Sequence, residues 1–378
     1  MQFSDVIGQR DVKKHLAEMI RLNRLSHALL FAGKEGSGAL PVAIAFAKYI
    51  MCESPSLTDS CGVCNACKKA SDLVHPDIHF SYPVIPKKPG DKPVSTDYIT
   101  EWREFITQLP YGNVYDWLQF IGAENKQGNI TAQECNEIIH KLSLKSFESE
   151  FKLLVMWMPE YLEKEGNKLL KLIEEPPPNT IFILVAENES LILPTIVSRT
   201  QLVKIPPIGI EDIEQHLILK SKITKERARQ IALVSGGNYR ESLQILQHTG
   251  EDWQSLLRDW LNAIMKSGPI AQVKWIDEMS KSGREKQKQF LRYFNHLLGQ
   301  AIKIQIMQDV ELPIPEDEKD FALRLNRMAG IEQQQAMIEE LDKASYYIER
   351  NANAKMLFHA LTIRLYHIIA DKSLILTT

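Results

Sequence analysis

Residues 33–40 read Gly-Lys-Glu-Gly-Ser-Gly-Ala-Leu and follow the apolar segment Ala28–Ala32. A second apolar segment, 39–51, comes directly after them with the density expected of a helix. A buried strand, a glycine-rich loop and a helix, in that order, are the setting of a phosphate-binding loop. The pattern therefore predicts a strand-loop-helix unit at the centre of an α/β domain.

This loop lacks the two side chains that a phosphate-binding loop uses for chemistry. The template G-x-x-x-x-G-K-[ST] places a lysine on the phosphates and a hydroxyl on Mg²⁺, while glycines let backbone N–H groups approach. Gly33, Gly36 and Gly38 are present, but Ala39 and Leu40 stand at the lysine and hydroxyl positions. We therefore expect a degenerate loop that binds no ATP. A tight turn that needs its glycines only for their dihedral angles is an open alternative.

Composition bounds the class of protein. A chain of 378 residues, 44% hydrophobic and 25% charged, is typical of a soluble protein with two or three domains. A net charge of −3 gives no general attraction to nucleic acid or to an anionic membrane, so any DNA contact must come from a local patch or from partners. The longest apolar run is shorter than the ~20 residues of a membrane span, and the N-terminus does not resemble a signal peptide. We expect a cytoplasmic protein without a membrane partner.

The cysteines predict a metal site. Four of the five lie in the spacing C-x8-C-x2-C-x2-C, as Cys52, Cys61, Cys64 and Cys67. A redox C-x-x-C motif needs only two cysteines, whereas four thiolates can surround a tetrahedral Zn²⁺ at about 2.3 Å. In a reducing compartment metal binding is also favoured over disulfides. We predict a closed, structural zinc site, with Cys135 elsewhere as a buried core thiol.

Strands and helices alternate as far as the prolines at 206–207. Apolar strands are predicted over residues 28–32, 78–84, 151–158, 180–185 and 201–205, with helices between them that include one over 167–175. In P-loop ATPases the strand corresponding to 151–158 ends in acidic residues that hold Mg²⁺ and polarise water. Here Trp157, Met158 and Pro159 stand at that end, and only Glu160 is acidic. A second element of ATP chemistry is therefore missing.

The pattern predicts three domains. Residues 1–206 form the α/β domain, 207–250 a small helical lid and 251–378 a larger helical domain. Residues 84–128 interrupt the α/β pattern and are interpreted as an insertion. Its aromatic residues are Tyr111, Tyr115, Trp117 and Phe120, which either form a partner surface or pack on the domain.

The C-terminal helices carry apolar faces with two possible uses. Phe290, Tyr293, Leu297 and Ile302 are typical of these faces. They serve either assembly into a ring or the core of a self-contained bundle.

Several motifs together resemble one family. They are Val6-Ile7-Gly8-Gln9, the loop at 33–38, the cysteine module, His75-Pro76-Asp77, Leu172-Ile173-Glu174-Glu175-Pro176-Pro177 and Ser198-Arg199-Thr200. They resemble the bacterial clamp-loader subunits of DNA polymerase III, and within that AAA+ family the delta-prime type. The resemblance covers about residues 1–250 and implies an AAA+ P-loop domain with a parallel sheet, a helical lid and an all-α collar domain.

The resemblance also implies roles for particular residues. In the family a Ser-Arg-Cys motif supplies an arginine to the ATP site of the neighbouring subunit, which assigns that role to Ser198 and Arg199, with Thr200 in place of the cysteine. An arginine that only pairs with a carboxylate is the alternative. Arg240 lies in a lid motif whose arginine touches nucleotide in motor subunits, and here it is either a relic or a salt-bridging residue. The family carries a zinc module at the place of the four cysteines.

The implied function is a subunit without an active site of its own. It would complete the ring that loads the sliding clamp on primed DNA and supply an arginine finger in trans, with Zn²⁺ as its only cofactor. The implied partners are the gamma/tau ATPase subunits, the delta subunit, and the clamp and primer-template DNA through the assembly. The alternative is a divergent P-loop ATPase of helicase-loading or strand-remodelling type that uses Lys34 from an unusual place.

Overall fold

A computed structural model describes residues 1–88, 90–123, 126–247, 253–307, 316–349 and 352–370. The chain divides into two compact units, Met1–Gln247 and His248–Thr378. The lid boundary expected at Gly250 and the last helix end expected near Asp371 lie outside the described residues.

The first unit is built on a five-stranded parallel sheet. Its strands are β1 Ala28–Ala32, β2 Ile78–Ser81, β3 Lys152–Trp157, β4 Thr180–Ala186 and β5 Gln201–Lys204, in the order β2-β3-β4-β1-β5. The strands β3 and β4 are buried at every position, as parallel strands covered on both faces must be. The predicted α/β fold class with a parallel sheet is confirmed.

Helices cover both faces of this sheet. The α-helices of the first unit, including those of the lid, are α1 Arg10–Arg21, α2 Ala39–Ile50, α3 Asn65–Ser71, α4 Ile99–Gln108, α5 Val114–Phe120, α6 Ala132–Ser143, α7 Leu170–Glu174, α8 Pro194–Val197, α9 Ile210–Ser221, α10 Lys225–Val234 and α11 Tyr239–Gln247. Alternate residues of β3 enter different cores, because strand side chains alternate between faces. Leu153 and Val155 join the core that contains α2, whereas Leu154 and Met156 join the core that contains α6.

Two predicted elements differ from the structure. The strand expected over 78–84 ends at Ser81, because the backbone N–H of Tyr82 turns away to donate to the Ser95 hydroxyl at 3.0 Å. The helix expected over 167–175 is instead a 3₁₀-helical segment, Pro159–Leu169, followed by the single α-turn of α7.

The insertion packs onto the α/β domain through an aromatic cluster. The Trp102 ring stacks on Tyr82 with centroids 4.0 Å apart and lies 5.4 Å from Trp157 at the end of β3. Trp117 stands edge-on to Trp102 at 5.3 Å and donates its indole N–H to the Pro83 carbonyl at 2.7 Å. Because Trp102 and Trp117 are fully buried, these rings stabilise the insertion and offer no partner surface.

Helices α9, α10 and α11 form a small helical lid around its own core. Ile213, Leu217, Ala228 and Ile231 are buried there, between the three helices. The insertion contributes Tyr111 to the same core.

The second unit is entirely helical over its described residues. Its helices are α12 Trp253–Asn262, α13 Gly268–Ser280, α14 Arg284–Ile306, α15 Glu316–Met328, α16 Ile331–Glu349 and α17 Ala354–Ala370. Its core contains the stacked pair Trp260 and Trp275, with centroids 4.7 Å apart. Phe290 and Leu297 are fully buried in this core, so of the two uses left open for them the structure shows the core of a self-contained bundle. None of the described helices has both the length and the apolar composition to cross a membrane.

Replacing Trp102 with alanine is expected to destabilise the first unit by about 3–5 kcal/mol, because it empties the centre of the aromatic cluster. Pulse proteolysis in urea measures this loss. Phe147→Ala is the matched control, because Phe147 is 82% exposed and its removal leaves no cavity. Equal stability of the two variants would contradict the assigned role of the cluster.

Candidate nucleotide pocket, metal centre and arginine

The loop between β1 and α2 has the backbone of a phosphate-binding loop. Gly36 and Gly38 adopt φ angles of +68° and +86°, which favour glycine. Ala39 and Leu40, at the positions of the missing lysine and hydroxyl, are buried in the first turn of α2. Lys34, in contrast, is exposed. No amine or hydroxyl therefore lies where the template needs one.

The lid contacts this loop directly. The Tyr239 N–H donates to the Gly36 carbonyl at 3.1 Å. A Cβ on Gly36 would lie only 1.8 Å from the Asn238 amide oxygen, so the contact requires glycine. The loop glycines therefore serve the contact with the lid as well as their own dihedral angles.

The insertion occupies the space beside the loop. Pro110, Tyr111 and Gly112 line the pocket together with residues 33–36 and 38–41 of the loop and helix, and Trp157 of β3. The Tyr111 ring lies so close to Gly38 that a Cβ there would meet it at 3.0 Å. The remaining cavity volume is about 30 Å³, enough for roughly two water molecules. The insertion therefore takes up much of the space beside the loop.

Arg240 joins the lid, the loop and the insertion. Its guanidinium donates to both carboxylate oxygens of Asp116, at 2.5 and 2.6 Å, and to Glu35 at 2.9 Å. The Arg240 side chain is only 4% exposed. Of the two roles left open for Arg240, the structure shows the salt-bridging one.

The acidic residue after β3 is engaged elsewhere. One Glu160 carboxylate oxygen accepts the backbone N–H groups of Glu187 and Asn188, at 2.7 and 2.9 Å. Burial raises the pKa of Glu160. Glu160 does not line the cavity beside the loop, so it closes the turn after β4 instead of polarising water there.

The four cysteines of the spacing motif converge. The sulfur atoms of Cys52, Cys61, Cys64 and Cys67 all lie within 4.8 Å of one another. The Cys61 and Cys67 sulfurs are 3.9 Å apart, close to the roughly 3.8 Å between two ligands of a tetrahedral Zn²⁺ with 2.3 Å bonds. The donor set and its spacing fit a structural zinc ion.

The local backbone favours thiolates at this centre. The N–H groups of Cys61, Cys64 and Cys67 donate to the sulfurs of Cys52, Cys61 and Cys64, at 3.2, 3.4 and 3.3 Å. The bonds from the backbone of Cys64 and of Val63 lower the pKa of Cys61 to about 6. Burial raises the pKa of Cys67 to about 12, so this thiol needs a cation to deprotonate it at neutral pH. Cys135 is fully buried in a different core.

Arg199 lies in the turn between α8 and β5. Its Nε donates to Glu174 at the end of α7, at 2.5 Å, and its Nη1 donates to the Thr195 carbonyl at 2.8 Å. The side chains of Arg199 and Glu174 are 34% and 45% exposed. Ser198 contributes a hydroxyl that donates to the Thr195 carbonyl at 3.2 Å. The turn thus presents a partly exposed guanidinium held by a carboxylate.

Sequence reasoning missed three residues that hold the loop, the insertion and the lid together. Glu35 was visible only as a loop position, and Tyr111 only as one of several aromatic residues. Asp116 carries one local signal, because it closes a capping box with Asn113 at the start of α5. Its pairing with Arg240 spans 124 residues and leaves no periodicity that sequence reasoning can detect.

Comparisons with known proteins identify the family. A family model described as DNA polymerase III, delta subunit, matches residues 8–209, more than half of the chain. The chain belongs to the DNA polymerase III clamp-loader family. The family predicted from the sequence motifs is thereby confirmed.

Individual relatives within this family are distant. Bacillus subtilis DNA polymerase III subunit delta' is 27% identical over 238 residues, which cover 63% of this chain and 59% of that protein. The Bacillus subtilis subunit tau is 26% identical over 314 residues, 79% of this chain and 46% of that protein. The chain thus spans less than two thirds of the length of these relatives.

Two solved structures are similar to this chain over most of its length, at low sequence identity. A Thermotoga maritima protein described as related to the DNA polymerase III gamma subunit covers 93% of this chain and 98% of its own, at 15% identity and a TM-score of 0.39. The Thermotoga maritima RuvB Holliday junction branch migration motor covers 82% of this chain and 80% of its own, at 13% identity and a TM-score of 0.39.

We expect one zinc ion per chain in protein purified without added metal, measured by atomic emission. Cys64→Ser is expected to lose the ion and to increase hydrogen exchange over residues 52–70 while the sheet stays folded, because a small module loses its cross-link but the α/β core does not. Cys135→Ser is the control and should keep one ion. One ion per chain in Cys64→Ser would contradict the ligand assignment.

Proposed function

We propose that this chain is a non-hydrolysing, delta-prime-like subunit of the DNA polymerase III clamp loader. It completes the ring that places the sliding clamp on primed DNA, beside gamma/tau ATPase subunits and a delta subunit. The observation that carries the proposal is the phosphate loop itself, because Tyr111 lines the space beside it and Arg240 is paired with Glu35 of the loop. Membership of the clamp-loader family supplies the context.

Three independent features argue against ATP hydrolysis by this chain. Ala39 and Leu40 remove the phosphate and magnesium contacts, Trp157 removes the acidic strand end, and Tyr111 fills the space. Phosphoryl transfer needs positioning, a metal ion and water activation together, so the loss of any one is disabling. A divergent ATPase that uses Lys34 is disfavoured because Lys34 lies at the opposite end of the loop from the lysine position of the template, which is Ala39 here.

Arg199 is the group through which such a subunit acts on a neighbour's ATP. A guanidinium stays protonated and its planar fork of N–H donors matches phosphate oxygens. The surface pair of Arg199 with Glu174 is worth only about 0–1 kcal/mol, so a buried phosphate competes for the guanidinium successfully. Glu174 then serves as the resting partner that holds Arg199 in position.

The helical unit after the lid is proposed to join the ring. The surface concerned is not the one that contains Phe290 and Leu297, because those residues are buried in the unit's own core. On α17 the exposed apolar side chains are Met356, Ile363 and Tyr366, at 73%, 56% and 42% exposure. Spacings of seven and three residues place them along one side of the helix. The zinc module is proposed to have a structural role only.

The isolated chain is expected to show no saturable ATP binding up to millimolar concentration in isothermal titration calorimetry, with a gamma/tau subunit as the positive control. Ala39→Lys should not create binding, because Tyr111 still fills the pocket. Binding in the micromolar range by the unaltered chain would favour the ATPase alternative.

In a reconstituted clamp loader, Arg199→Ala is expected to slow DNA- and clamp-stimulated ATP hydrolysis and clamp loading. Fingers of this kind are worth about 10³- to 10⁵-fold at the site that they serve, and a ring with several sites loses less in total. Folding, zinc content and assembly should not change.

Glu174→Gln is the matched control, because it breaks the same ion pair and keeps the arginine. It should retain most of the activity that Arg199→Ala loses. Equal losses in the two variants would show that the ion pair itself is what matters and that Arg199 is structural.

A further inference from the structure

Three distant segments of the chain meet at the phosphate loop. The N-terminal segment contributes Ile7, the insertion contributes Tyr111, and the lid contributes Tyr239. The Ile7 N–H donates to the Tyr111 hydroxyl at 2.8 Å, and the Tyr111 and Tyr239 rings stand edge to face at 4.9 Å. Tyr111 is therefore a shared contact of the insertion, the loop and the lid.

A buried ion triad lies beside this tyrosine. Arg240 of the lid binds Asp116 of the insertion through two hydrogen bonds and Glu35 of the loop through a third. Asp116 and Glu35 are 21% and 16% exposed, so the triad is largely withdrawn from solvent. Breaking one side of such a group leaves an uncompensated buried charge, which opposes separation of the segments.

The insertion itself is anchored to the rigid sheet. Its rings Trp102 and Phe105 pack within 5.4 and 6.0 Å of Trp157 on β3. Asp116 is fixed within the insertion by its capping box with Asn113. The insertion thus connects the sheet to the lid through groups that are themselves held in place.

We infer that the insertion, residues 84–128, is a permanent internal occupant of the phosphate loop that holds the lid against it without nucleotide. A dissociable ligand holds a lid only while it is bound, and its binding costs translational and rotational freedom. A tethered segment avoids most of that cost and is always at high effective concentration. The inference rests on the proposed function, because a subunit that binds no nucleotide needs another means to keep its lid in one position.

Hydrogen exchange of the full-length chain without nucleotide tests this inference. Tyr111→Ala and Asp116→Asn are each expected to accelerate exchange in α9, α10 and α11 by roughly tenfold or more, because each removes a partner of a buried contact between insertion and lid. The strands β3 and β4 should keep their protection. In the double variant with Asp116→Asn and Arg240→Gln, the acceleration of lid exchange should be much smaller than the sum of the accelerations in the two single variants. Each single variant already removes the same ion pair.

Two control variants lie in the same insertion. Asp97→Asn removes a capping carboxylate that accepts the Val94 N–H at 2.9 Å, and Tyr98→Phe removes a hydroxyl that donates to the Ile85 carbonyl at 2.9 Å. Neither group contacts the lid, so lid exchange should stay at the wild-type rate.

Unchanged lid exchange in both Tyr111→Ala and Asp116→Asn would overturn the inference. Equal acceleration of the lid and of β3 and β4 would overturn it as well, because the insertion would then support the whole unit without any specific hold on the lid. ATP titration of the unaltered chain decides the proposed function separately. Saturable ATP binding would refute that function, whereas failure of the exchange test alone would leave it standing without the internal occupant.

Discussion

The Tyr111 ring lies against the backbone of Gly38, and the surrounding architecture depends on this contact. In the phosphate loop, Gly36 and Gly38 keep φ angles of +68° and +86°, the glycine conformations that let a ligand approach the backbone closely. A side chain from the insertion uses that approach in place of a phosphate. Because the Tyr111 hydroxyl accepts the Ile7 N–H and the Tyr111 ring enters the lid core, one residue fixes the N-terminal segment, the loop and the lid together.

The ion triad beside Tyr111 contributes orientation more than stability. Withdrawing Arg240 and two carboxylates from water costs several kcal/mol per ion, and their attraction repays this only with good geometry. The bidentate bond to Asp116 and the bond to Glu35 supply that geometry. An apolar contact would hold the lid at least as firmly but would not define its register. The N–H donors of a planar guanidinium have fixed directions, so these bonds define the orientation of α11 relative to the loop.

The sequence predicts those features that short-range patterns encode. Ala39 and Leu40 reveal a degenerate loop because the template fixes their positions, and Cys52 to Cys67 reveal a cluster because four ligands lie within sixteen residues. The strands are predictable since β3 and β4 are apolar at nearly every position. The pairing of Asp116 with Arg240 and the place of Tyr111 are not, because both arise from how a 45-residue insertion folds back over distant segments. Phe290 and Leu297 illustrate another limit of sequence reasoning. An amphipathic pattern predicts which face of a helix is buried, but it does not show whether that face is covered by the unit's own core or by a partner protein.

Arg240 and Arg199 differ in burial, and this difference separates the roles proposed for them. Arg240 is 4% exposed and its bonds lie inside the chain, so the energetic cost of moving it is high. Arg199 is 34% exposed and pairs with a carboxylate that is itself 45% exposed, so its side chain exchanges partners at little cost. A group that acts on a neighbouring subunit must be able to leave its resting partner, whereas a group that fixes a lid must not. The chain thus has a fixed arginine at its own phosphate loop and a more mobile one in the turn before β5, and this difference in burial supports the role proposed for Arg199 toward a neighbouring subunit.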